Sequence, residues 1–413
     1  MFYKVPGVLP EEVVCPSARH LTPAMTGACR LRHPRNAAHL LWPEREGTEG
    51  VTLESWRREG TITKDPEPAF YVLSQSFRNS LGIPVQRLGL IGLCKLREFS
   101  AGEIIPHQKT LPAFLEESVR RLQHLNAHLQ PVCLLAADPD RLLERSLRQI
   151  TAGTPLLDFL FDDVIIRLWR ASEPDWIRQM RDLFAGKSLL LAAGHHSYEA
   201  ALTYRDMMRL RSRSETTPCD FIPALVTGMY EETIVLRPVF RVVRTDGTPD
   251  WEGFLQRLSK YFRVTPLGSL VELAQLPEGN ERHVFGIVGK DRLLLARWDG
   301  SAPLEEISDA AATPEVRDLD ISILHHFILG RCLGLNEVLQ QRLEHVGYAR
   351  DIPEAVGVVQ RNEAAMAFVT PQLDLDQMRR LMRSNGVLPP LTTALFPAIP
   401  CGSIIHRLDE VVA

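Results

Sequence analysis

Two rhythms of apolar and polar positions share this chain, and neither dominates. Alternation at every second residue predicts strands, and spacing of three to four predicts helices. Residues 1–66 are rich in Pro and Arg with few clear elements, and a helix is expected near 53–58. Residues 69–78 read as a strand, Asn79-Ser80-Leu81-Gly82 as a turn and 85–99 as the return strand. Residues 101–110 read as a loop held by Gly and Pro. Residues 112–129 read as a helix, with Leu115, Val119, Leu122, Leu125 and Leu129 on one face.

Further along, a helix is expected up to about residue 150, a strand at 163–170 and a helix at 174–184 with proline in its first turn. Residues 188–192 read as a buried strand, Gly194-His195-His196 as a turn and 197–211 as a helix. The remainder alternates: strands at 221–226, 233–243, 262–266, 283–288 and 293–298, helices at 251–260 and 319–333. The tail adds a strand near 346, helices at 352–360 and 375–383 and a strand at 365–369. This mixture predicts an α/β fold of mixed α+β character. At about 150 residues per domain, the 413 residues divide into three regions, 1–155, 156–310 and 311–413.

Composition narrows the function classes. Apolar residues make up 45% of the chain, ample for a packed core. The net charge of −4 argues against a nucleic-acid partner, whose footprint is a basic surface. No apolar run approaches the roughly 20 residues of a membrane span, and the first residues lack the apolar core of a signal peptide. Seven scattered cysteines without metal-ligand spacing read as free thiols. A cytoplasmic protein with no membrane and no metal site is the expectation.

Residues 189–208, LLLAAGHHSYEAALTYRDMM, carry the chemistry. A glycine and two histidines stand between an apolar strand and a helix. Amides at a helix N-terminus lie outside the intrahelical ladder, and the helix dipole favours an anion there. Gly194 allows close approach to the backbone. His196 or Ser197 is placed to cap the helix, and Glu199 is expected within its first turn. The plain alternative is a capped structural turn with one buried histidine. Three further features take structural readings. Gly186-Lys187-Ser188 lacks the upstream glycine of a phosphate loop and precedes its strand. His325 and His326 are adjacent, which suits a core helix better than a metal pair. Arg205, Arg209, Arg211 and Arg213 suit a solvated helix C-terminus.

The string GHHSYEAALTYRD resembles the D-G-H-H-R-Y-E-A/T-A…Y-R-D signature of a bacterial family catalogued as domain of unknown function 1015. IPHQKTLP at 105–112 is similar to its L-P-H-E-K/R-T, and HPRNAAHLLWPE at 33–44 to its N-P-x-N-x-x-H-L-x-x-P. LDISILHHFIL at 319–329, AMAFVTP at 365–371 and VLPPLTTALFP at 387–397 follow the family's later landmarks in order. The family's G-x-H-R-x-x-A core is itself similar to the ParB/sulfiredoxin box, in which the glycine and the helix N-terminus hold nucleotide phosphates. Some proteins with that box phosphorylate the hydroxyl of free serine. The resemblance therefore implies a nucleotide-dependent phosphotransferase acting on a small hydroxy-amino acid, with ATP or ADP and Mg²⁺. Its alternative is an inactive module that binds a nucleotide or small anion; a homo-oligomer is compatible with either. Gly194, His195, His196, Ser197, His107 and Thr110 would bind the nucleotide. Glu199 or His196 would handle the proton, and Lys109 would neutralise charge. The 107–110 loop is expected to converge on the same pocket.

The chain departs from the family where charge matters. Ser197 replaces Arg, Ala193 replaces Asp and Gln108 replaces Glu. Cys15-Pro16-Ser17-Ala18-Arg19 replaces P-P-Y-D-V, Val239-Phe240-Arg241 replaces T-H-R, and Leu391 replaces Lys. Ala394-Leu395-Phe396 replaces Y-F-Y. Losing an arginine clamp and a carboxylate removes charge neutralisation, on which phosphoryl transfer depends. Arg237 or Arg241 is the candidate replacement cation.

Overall fold

The computed structural model describes residues 2–3, 8–18, 21–43, 48–79, 82–210, 217–229, 233–244, 249–279, 281–307, 313–384 and 386–409. Packing divides the chain into two compact units. One holds residues 1–106, 113–235 and 397–413; the other holds 107–112 and 236–396. Strands from both sides of residue 155 share one sheet.

That sheet, in the first unit, has eight strands. Their order is Ile104–Pro106, Leu189–Ala193, Val132–Ala136, Phe221–Gly228, Pro84–Lys95, Phe70–Arg78, Val164–Ala171 and Leu157–Phe161. Two pairings are parallel: Ile104–Pro106 with Leu189–Ala193, and Val132–Ala136 with Phe221–Gly228. Both neighbours of Val132–Ala136 cover it, and all five of its residues are buried. It reads VCLLA, too short and too uniformly apolar to alternate, so periodicity passes over it. The segment expected to be only a loop at 101–110 contributes the edge strand Ile104–Pro106. The helix expected at 112–129 ends at Leu125, where Asn126 turns left-handed at φ 53° and Ala127–His128 starts a strand. Helix Pro174–Phe184 forms as expected.

The strand Leu157–Phe161 also escapes the sequence pattern. It joins Val164–Ala171 through Asp162 and Asp163, at φ 49° and 60°. Two left-handed residues give the hairpin turn whose twist matches the strands, and Asp tolerates that region better than most residues. Of the expected turn 79–82, residues 80 and 81 lie outside the described residues; Asn79 and Gly82 close it through a backbone bond of 2.9 Å.

The second unit is built on six strands, each pairing antiparallel. Their order is Phe262–Pro266, Arg292–Trp298, Val284–Gly289, Met366–Val369, Phe240–Val243 and Val346–Ala349. Helix Ile352–Gln360 covers one face, burying Ala355 and Val359 against Val242, Val288 and Ala367. The single strand expected at 233–243 divides in two. Val235–Pro238 pairs with Thr393–Phe396, and Phe240–Val243 enters the six-stranded sheet. The expected helix 319–333 begins as α-helix over Asp320–Ile323 and continues as a π-helix over Leu324–Cys332. The mixed α/β class is the one expected from sequence. Among the described residues, no helix is long and apolar enough to cross a membrane.

Candidate functional site

Strand Leu189–Ala193 runs into the Gly194 turn through an irregularity. Leu191 pairs with Leu134, but Ala193 pairs with Cys133, so the register shifts just before the turn. A bulge re-aims a strand end. Gly194 follows at φ 91°, ψ 25°, the left-handed region, and stands as the N-cap of helix His195–Arg209. A Cβ there would lie 2.7 Å from Val132 Cγ1 and 3.2 Å from its Cα. Both backbone angle and packing thus demand glycine.

The helix begins two residues earlier than the sequence suggested. Neither His196 nor Ser197 is the N-cap, because both are already helical; the cap position is Gly194, which has no side chain to offer. The first helical bond closes from Tyr198 N to Gly194 O at 2.8 Å, so the amides of residues 195–197 precede the ladder. His195 and His196 are buried, Ser197 is exposed and Glu199 is half-buried. Glu199 is the fifth helical residue, so it lies beyond the first turn, which holds no acidic residue. The His196 ring meets Phe114 edge-on, centroids 5.6 Å apart.

The helix is anchored below this end. Tyr198, fully buried, donates its hydroxyl to Arg97 O and accepts from Arg97 N, both at 2.9 Å, and stacks on Phe99. Burial pushes its phenol pKa up, so it stays protonated. Arg205 is not the solvated end residue the charge pattern suggested: it is buried and ion-paired with Glu98 and Asp206. Arg209 pairs with Asp220. Arg211 and Arg213 lie outside the described residues. This fixed geometry leaves the helix N-terminus with one exposed side chain at its mouth, Ser197.

The 107–110 segment belongs to the second unit. His107, buried, lies 2.9 Å from Thr393 Oγ1 through its Nε2. Gln108 Oε1 accepts from Thr392 N and Thr393 N, at 3.0 and 3.2 Å. Backbone bonds of 2.8 Å run from Leu388 N to His107 O and from Lys109 N to Leu388 O. The segment is therefore stitched to the loop 388–393 by its backbone and by Gln108. Lys109 Nζ is 3.9 Å from Glu337 Oε1. Thr110 is half-buried, and the following helix begins at Pro112, so Thr110 stands one position ahead of its cap.

The candidate replacement cations are both committed elsewhere within this unit. Arg241 is fully buried and donates to four groups: His325 Nε2 at 3.0 Å, Val239 O at 2.6 Å, Leu391 O at 3.0 Å and Pro390 O at 2.9 Å. Its guanidinium also lies over the Tyr348 ring. Burial lowers its pKa to about 10. Arg237 lies over the Phe396 ring, 3.4 Å from its centroid. Because His325 Nε2 accepts, its proton sits on Nδ1 and is donated to Gln340 Oε1 at 2.7 Å. Burial first, then Arg241, hold His325 well below its ordinary pKa. His325 is half-buried, the core-or-boundary residue that the adjacent-histidine pattern suggested. Among the described residues, no three His, Cys, Asp or Glu side chains come together as a metal site.

The fold has distant likenesses among solved structures. A conserved hypothetical protein from Pyrococcus furiosus is 14% identical, with 75% of this chain and 93% of that chain covered and a TM-score of 0.40. A free serine kinase in complex with AMP is 12% identical, with 77% and 91% covered and a TM-score of 0.40. SbnI with a C-terminal truncation, from Staphylococcus aureus, is 10% identical, with 76% and 85% covered and a TM-score of 0.37. No curated protein matches the sequence. The model of one protein family, described as protein of unknown function (DUF1015), matches residues 3–322, which include both the Gly194 turn and the 107–110 segment. This chain belongs to the DUF1015 family.

Proposed function

We propose that the 194–197 turn binds a phosphate-bearing anion, a nucleotide such as ATP or ADP, and that the chain serves as a nucleotide- or anion-binding regulatory module. The observation behind this reading is the helix N-terminus itself. Gly194 caps it without a side chain, and three successive amides precede the ladder behind an exposed Ser197. Phosphate oxygens suit such an end because amides and dipole act together. A Mg²⁺ ion would arrive with the phosphates.

The binding module is preferred to a fast phosphotransferase because the expected charges are spent or missing. Serine replaces the arginine at 197, Gln108 accepts from two backbone amides, and Arg241 is consumed by carbonyls and His325. Phosphoryl transfer without such neutralisation loses orders of magnitude in rate. A second reading, a slow phosphotransferase on a small hydroxy-amino acid, draws on Glu199 and His196, which remain near the turn as groups able to take a proton.

A thermal-shift titration with ATP, ADP and pyrophosphate, with and without Mg²⁺, tests the proposal. Ligand at 100 times its Kd should add about 2.7 kcal/mol, a plain rise in Tm. Absence of any saturable shift contradicts binding. Phosphoserine formed from free serine and ATP, and lost in Glu199→Gln, would favour the second reading over the first.

A further inference from the structure

Cys15 and Cys401 face one another in the first unit, near opposite ends of the sequence. Each donates its amide to the other's carbonyl, Cys15 N to Cys401 O at 3.2 Å and Cys401 N to Cys15 O at 2.8 Å. They thus form an isolated antiparallel bridge of the hydrogen-bonded kind. Such a pair sets its Cα atoms about 5.5 Å apart, with both side chains on one face. That separation lies inside the range a disulfide spans, about 4.4–6.8 Å. Cys401 Sγ donates to Gln130 Oε1 at 3.3 Å. Neither cysteine is bonded to another cysteine here, and both are buried in the core that packs the helices Pro23–Arg32 and Glu49–Arg58.

We propose that Cys15 and Cys401 are an oxidisable pair, joined as a disulfide by exchange with a low-molecular-weight disulfide. Nothing about the nucleotide site is needed for this. During refolding, while both thiols are accessible, the thiolate of one partner attacks one sulfur of the reagent, breaking its S–S bond and releasing one small thiolate. The thiolate of the other partner then attacks that cysteine's Sγ in the mixed disulfide and expels the second small thiolate. The two protons of the cysteine thiols end on the two small thiols, so the reagent is reduced and the protein pair oxidised. Cys29 is the competing thiol, buried in the same core. It has no backbone bridge to either partner in the described structure.

The bond would close almost the whole chain into a loop. A cross-link of that kind acts mainly on the unfolded chain and grows in effect with loop length. Refolding the wild-type chain in a buffer of oxidised and reduced glutathione, then mapping peptides by mass without reduction, tests the pairing. The expected result is one linked species joining the Cys15 and Cys401 peptides, lighter by two hydrogens than their sum. It should persist in Cys29→Ser and vanish in Cys15→Ser. The oxidised protein should melt higher than the reduced one, and dithiothreitol should reverse the rise. A Cys29 linkage to either residue overturns the proposal. So does recovery of Cys15 and Cys401 as separate thiols or glutathione adducts.

Discussion

Gly194 is demanded twice, by its φ of 91° and by Val132 lying 2.7 Å from where a Cβ would stand. Gly194→Ala should therefore cost about 2–4 kcal/mol in urea unfolding. Val132→Ala in the same chain should recover the steric part and leave the backbone part, a coupling that a double-mutant cycle reads directly. The sequence singled out this glycine for ligand approach; packing against the next strand is a long-range contact that no local motif carries. Arg241 is the opposite case. As a sequence position it looked like a spare cation, and its structure makes it the keystone of the loop 388–393. Arg241→Met leaves the carbonyls of Val239, Pro390 and Leu391 without their donor. The expected loss is about 3–5 kcal/mol, by urea unfolding. Arg241→Lys should fall between, since it restores the charge without the fork.

At the scale of elements, the long amphipathic helices and the strongly alternating strands were legible. Pro174–Phe184, Ile352–Gln360 and Phe262–Pro266 formed where their periodicity put them. The misses share a cause. Val132–Ala136 and Ile104–Pro106 are buried or very short strands, whose pairing partners lie far off in sequence. The π-helix Leu324–Cys332 is invisible to a helical period because its cause is also remote. Gln340 donates to His325 O at 3.0 Å and to Leu335 O at 2.6 Å, while accepting from His325 Nδ1. Arg257 Nε holds Cys332 O at 2.7 Å. Gln340→Ala removes three bonds from a buried network and should destabilise by about 2–4 kcal/mol in urea unfolding. Gln340→Glu can still accept from His325 but loses both donated bonds, so it should not rescue.

For the whole molecule, the fold class and the family were legible from sequence, and the two packing units were not. The second unit takes in residues 107–112 from far upstream, a segment attached through Leu388 and Thr393 rather than through its chain neighbours. Acid should weaken the molecule as a whole. His128 is buried in parallel stacking with His406, and burial, then His406, push its pKa down to about 3 from 6.5. The shift is downward, so below pH 6.5 the unfolded chain takes up a proton that the folded chain refuses. The stability this costs grows as pH falls, until His128 itself titrates near pH 3. His325 adds to the same limb. The Tm should fall between pH 6.5 and 3, and His128→Gln should flatten part of that fall.

The central claim, that the 194–197 turn holds phosphate, turns on one exposed side chain. Ser197→Asp places a carboxylate at the third helical position, where the dipole favours it by about 0.3–1 kcal/mol while the same charge repels an anion. Calorimetric titration of pyrophosphate and ADP into wild type, Ser197→Asp and Ser197→Arg is the measurement to make. The account predicts saturable binding to wild type, tighter binding to the arginine variant, and binding lost in the aspartate variant although its Tm without ligand is equal or higher. Equal affinity in all three proteins, or no heat of binding in any, would contradict it.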